Sequence, residues 1–166
     1  MRPRDVGRAR LYAAERLVHR MFDRAGSSRT AQLAGAEITL PSEARFASVD
    51  SVRDYVSRVL AMPTVRARFP RTTAPVAVRE RRGFTSAEYR TSSAGEAQIA
   101  IPSSADGRWA LRELVVLHEL AHHLDDSDDP AHGRGFAVTL IDLVGLVMGP
   151  EAGLVYRVMF GDSDVL

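Results

Sequence analysis

The sequence predicts one α+β domain over residues 1–166: a small, mostly antiparallel sheet in mid-chain, packed against the helix that follows it, with additional N- and C-terminal helices. Three observations predict it. Apolar residues recur at helical spacing near the N-terminus and again through the last third. Between those regions they alternate with a period of two. The chain's 166 residues suffice for one hydrophobic core and are too few for two comfortable ones.

Taken in order, residues 5–24 predict a first helix, with Val6, Ala9, Ala13, Leu17 and Met21 inward and Arg8, Arg16 and Arg20 outward. Gly26-Ser27-Ser28 ends it. Residues 36–49 are ambiguous: Ala36 to Leu40 alternates like a strand, and Pro41 stops it. A second helix is predicted from Ser51 to Ala61, with Val52, Tyr55, Val56 and Leu60 inward, and Pro63 and Pro70 bracket a short turn. Pro75 to Arg81, Ala87 to Thr91 and Glu96 to Ile101 predict strands, the last two joined through Ser92-Ser93-Ala94-Gly95 as a hairpin. Residues 107–124 predict a helix capped by Asp106. Asp125 to Pro130 is a breaker loop. Residues 132–148 are apolar nearly all round, which predicts a buried central helix. Gly149-Pro150 breaks it, and Glu151 to Phe160 forms the last one.

Composition excludes several chemistries. The net charge is +1, so bulk electrostatics give no case for a nucleic-acid or membrane partner. All 22 basic side chains are Arg, with neither Lys nor Asn in the chain. There is no Cys, so disulfides and thiolate ligands are excluded, and any metal must be held by His, Asp or Glu. The N-terminal residues lack the apolar core of a signal peptide. The longest apolar stretch, Phe136 to Met148, is too short to span a bilayer and is interrupted by Asp142. A cytoplasmic protein is the expectation.

The chemistry concentrates in His118-Glu119-Leu120-Ala121-His122. Side chains four apart on a helix share a face about one turn apart, so both imidazoles can reach one ion. Glu119 lies about 100° round the helix, where it can reach a water without being a ligand. This is the His-Glu-x-x-His arrangement of zinc hydrolases, in which zinc acidifies a water and a carboxylate accepts its proton. The apolar run Leu111 to Leu117 buries the segment, and buried polar side chains need partners; a metal supplies them. The bland alternative is a core helix with hydrogen-bonded histidines and no metal. A catalytic site of this type wants a third protein ligand. His132, beyond the acidic loop, is the first choice, with Gly133 and Gly135 allowing close approach; Asp125, Asp126 and Asp128 compete. His123 points away from the pair and is expected to hydrogen-bond or to face solvent, and His19 to lie at the surface. Asp142, among apolar neighbours, can orient a ligand histidine, pair with an Arg or face water. Tyr156 can stabilise an oxyanion or simply pack.

The stretch His118 to Asp125, continuing to His132-Gly133-Arg134-Gly135-Phe136, resembles an actinobacterial and phage family of metallohydrolases that carries this motif. Arg4 to Glu15 resembles the same family, so the likeness covers the whole chain. More distantly the chain resembles the SprT-like and related minimal zincin metallopeptidases, where a His-Gly-x-x-Phe segment supplies the third ligand. The interval from His122 to His132 is shorter than is usual there, and no DNA-binding appendage is recognisable. The resemblance implies a zincin-like fold, zinc on His118, His122 and His132, catalytic Glu119, and a peptide or protein substrate. It also implies an edge strand beside the active-site helix that holds substrate backbone, for which Glu96 to Pro102 is the candidate. The expectation is therefore a zinc-dependent metallopeptidase. The alternatives are a zinc hydrolase of a small non-peptide substrate and a non-catalytic metal-binding module. Arg79, Arg81, Arg82 and Arg90 are a candidate basic strip for nucleic acid, and a solvated sheet face is the expected explanation for them.

Overall fold

The computed structural model describes residues 5–102 and 110–166, and among them the fold is α+β. In chain order the elements are α1 (Arg8–Ala25), β1 (Thr30–Leu33), β2 (Ala36–Thr39), α2 (Val49–Ala61), α3 (Pro63–Arg68), β3 (Val76–Glu80), β4 (Glu88–Thr91), β5 (Ala97–Ile101), α4 (Glu113–Leu124), α5 (Arg134–Met148) and α6 (Pro150–Asp162). The chain divides into two compact units, Met1–Glu43 with Asp126–Leu166, and Ala44–Asp125.

In the first unit α5 and α6 pack along each other and α1 lies on α6. The buried face of α1 is Leu11, Ala14, Glu15, Val18 and Ala25 rather than the predicted stripe. Val6 is 79% and Leu17 42% exposed. Two sets of small and apolar residues share helical spacing on this helix, and the set containing Leu11, Ala14 and Val18 is the one buried. β1 and β2 form an antiparallel hairpin. Its turn, Ala34-Gly35, has positive φ at both positions, which matches the twist of a two-residue hairpin. β2 lies within the predicted strand, while β1 alternates polar and apolar over only the four residues Thr30–Leu33.

In the second unit the sheet order is β3-β5-β4, with β3 parallel and β4 antiparallel to β5. Ile99, Ala100 and Ile101 of β5 are fully buried. Because both of its sides are paired, β5 is the central strand, and the expected substrate-holding edge at Glu96 to Pro102 is not an edge. Ser48 and Ser51 form a reciprocal capping box that starts α2. α2 packs on β3, and α4 meets β4, β5 and α2.

Helix α4 begins at Glu113, later than predicted. Arg112 is extended and bridges Arg45, while Phe46 N–H donates to Leu111 O (2.8 Å) and Glu113 N–H to Ala44 O (3.0 Å). That short pairing takes up backbone groups that a longer helix would have used. The predicted cap Asp106 and residues 107–109 lie outside the described residues. Among the described residues no helix is long and apolar enough to cross a membrane.

Candidate metal centre

Helix α4 is buried on nearly every side: of Glu113 to Leu124, only His122 is half-buried. Its first turn is fixed by Glu113, whose carboxylate accepts from Ala44 N–H (3.0 Å) and from the Tyr55 hydroxyl on α2 (2.5 Å). One turn further on, His118 and His122 meet as the spacing predicts. Their rings lie edge to face at 4.9 Å, and their Nε2 atoms are 3.2 Å apart. Two nitrogens at about 2.0–2.1 Å from one tetrahedral zinc would be about 3.3 Å apart. The pair is therefore set close to the edge of such a coordination shell. Glu119, beside His118, is 6% exposed.

His122 and His123 share a contact that the sequence did not mark, Tyr89 of β4. Its ring stacks on His122 (6.1 Å between centroids, 12° between planes) and meets His123 at 5.8 Å. His123 is fully buried and hydrogen-bonded. Its Nε2 lies 3.0 Å from the Ala74 carbonyl and so carries the proton, which leaves Nδ1 to accept from the Tyr89 hydroxyl at 3.3 Å. Burial holds the His123 pKa below the ordinary imidazole value; the Ala74 carbonyl opposes the shift, and the Arg71 charge adds to it. A cavity of ≈ 530 Å³ opens beside His123, lined among others by Arg71, Ala74, Tyr89, Glu96 and Gln98.

His132 belongs to the other unit, two residues before α5, and is 8% exposed. Its Nδ1 lies 2.6 Å from Asp5 Oδ2. Tyr12 and Phe136 flank the ring at 5.1 Å and 5.3 Å. Each of His118, His122 and His132 offers one ring nitrogen, the first two from the second unit and the third from the first.

The competitors separate. Asp126 and Asp128 are exposed and Asp125 is half-buried; in the same loop Asp129 Oδ2 accepts from Gly135 N–H (2.7 Å) at the start of α5. Gly135 is needed for contact with this loop: a Cβ there would lie 2.1 Å from Ser127 Oγ. Asp142 faces Arg157 of α6 at 4.0 Å. Tyr156 is fully buried edge-on to Phe160. His19 is half-buried, not at the surface. The arginines of the sheet are paired: Arg79 with Gln98, Arg81 and Arg90 with Glu88, and Arg82 with Glu80.

Asp5 and Tyr89 are the site residues that sequence reasoning missed. Their contacts join distant segments, and no local spacing announces them. No family model, curated protein or solved structure matches the chain.

Proposed function

We propose that the protein is a zinc-dependent hydrolase of zincin-like fold that cleaves peptide bonds. In this reading His118, His122 and His132 hold the metal and Glu119 is the general base. The observation that carries it is the 3.2 Å approach of two Nε2 atoms on one buried helix, with a carboxylate next to the first of them. The donor set fits: three neutral nitrogens suit zinc and leave a fourth position for water. Bound zinc would acidify that water and polarise the substrate carbonyl. Glu119 takes the water's proton on its carboxylate as the oxygen attacks, and passes it to the leaving amine as the C–N bond breaks. The backbone-holding role that β5 cannot play falls to β4, which among the described strands pairs with β5 alone and packs on α4.

A second reading, hydrolysis of a small non-peptide substrate, draws on the ≈ 530 Å³ cavity beside His123, a volume within the usual range of small-molecule sites. Zinc content and hydrolysis of an unstructured protein substrate, measured on the same samples, test the proposal. The His118→Ala, His122→Ala double variant should lose zinc. Glu119→Gln should keep it and lose about 10²-fold or more in rate. Full zinc occupancy in the double variant would overturn the ligand assignment. Zinc-loaded protein that cleaves small amides or esters but no peptide would favour the second reading.

A further inference from the structure

We propose that Asp5 is a positioning residue, which holds His132 by Nδ1 so that Nε2 is the nitrogen presented to a metal. The inference rests on the metal-site reading above. A carboxylate only accepts, so the 2.6 Å contact from Asp5 Oδ2 requires the proton on His132 Nδ1. In the neutral ring the lone pair then resides on Nε2. An imidazole without such a partner exchanges between its two tautomers, and a ligand histidine is commonly fixed by an acceptor on its second nitrogen. Asp5 also adds negative charge, which makes the ring a more basic ligand.

The contact is built into the local packing. Asp5 is 127 positions from His132 in sequence, and both are largely shielded, with side chains 27% and 8% exposed. Gly7, two residues on, lies against the backbone of His132: a Cβ there would come within 2.9 Å of the His132 carbonyl oxygen. The Gly7 carbonyl in turn accepts from Leu11 N–H (3.0 Å), which ties residues 5–7 to the start of α1. Tyr12 from that helix and Phe136 from α5 limit the tilt of the ring. The segment ahead of α1 is thereby a strap on the third ligand.

Two measurements test this. Zinc affinity, by competition against a chromophoric chelator, should fall about 10- to 100-fold in Asp5→Ala. Asp5→Asn, which keeps an acceptor oxygen and loses the charge, should fall between Asp5→Ala and wild type. Loss of this hydrogen bond should lower the melting temperature of metal-free Asp5→Ala by several degrees, so zinc affinity is read at a temperature where variant and wild type are both folded, and a general structural role would leave it unchanged there. Independently of any variant, nitrogen-15 NMR of metal-free wild type at pH 8 should show His132 protonated on Nδ1. Zinc affinity in Asp5→Ala within twofold of a zinc-binding wild type, or a proton found on Nε2, would overturn the inference and leave the metal site standing. Wild-type protein that binds no zinc would remove both.

Discussion

Glu113 ties the first turn of the site helix to its surroundings. It is 7% exposed, and its two carboxylate oxygens accept from Ala44 N–H at 3.0 Å and from Tyr55 O–H at 2.5 Å. Hydrogen bonds to an ionised acceptor contribute about 1.5–3 kcal/mol each, and water has little access to replace them. Glu113→Ala removes both acceptors, for a loss of about 3 kcal/mol or somewhat more. For a chain of this length that is about 6–12 °C in melting temperature. Glu113→Gln keeps one acceptor oxygen and should lose about half as much. Urea denaturation of metal-free protein, with thermal melts alongside, measures both. A Glu113→Ala midpoint within about 0.5 kcal/mol of wild type would refute the claim that this carboxylate anchors α4.

Two further predictions concern the site's surroundings. Gly135→Ala places a methyl where Ser127 already stands, so the loop after α4 must move; a loss of about 1–3 kcal/mol is expected in denaturant titrations, and a neutral result would mean the loop yields freely. His123 should titrate below its ordinary value of 6.5 in an NMR titration. Its folded pKa is depressed, so the unfolded chain binds the proton first as pH falls. Metal-free protein should therefore lose stability as pH drops below about 6.5, and His123→Gln should flatten that dependence. A variant with the wild-type slope would contradict it.

The parts legible in the sequence were those with a local signature. The His118–His122 pair, the β4–β5 hairpin and α2 with its inward Val52, Tyr55 and Val56 follow from spacing and turn residues alone. What escaped depends on which segments meet. The parallel pairing of β3 with β5 joins strands with β4 between them in sequence, and it turns β5 from an edge into the centre. The predicted inward stripe of α1 is the wrong one: two stripes fit the helical period, and Leu11, Ala14 and Val18 belong to the one that is buried. Asp5 carries no mark of its partner far along the chain; only the folded unit brings its carboxylate to His132. Tyr89 reads in sequence as one more strand residue, and only the packing of β4 on α4 lays its ring on His122.

In the proposed site three histidines and no other side chain hold the metal. X-ray absorption at the zinc edge tests it most directly, because imidazole scattering counts the rings. Zinc-loaded wild type should show three imidazoles and one oxygen at about 2.0–2.1 Å, falling to two imidazoles in His132→Ala. An imidazole count unchanged by His132→Ala, or a fourth protein ligand filling the open position in wild type, would contradict it.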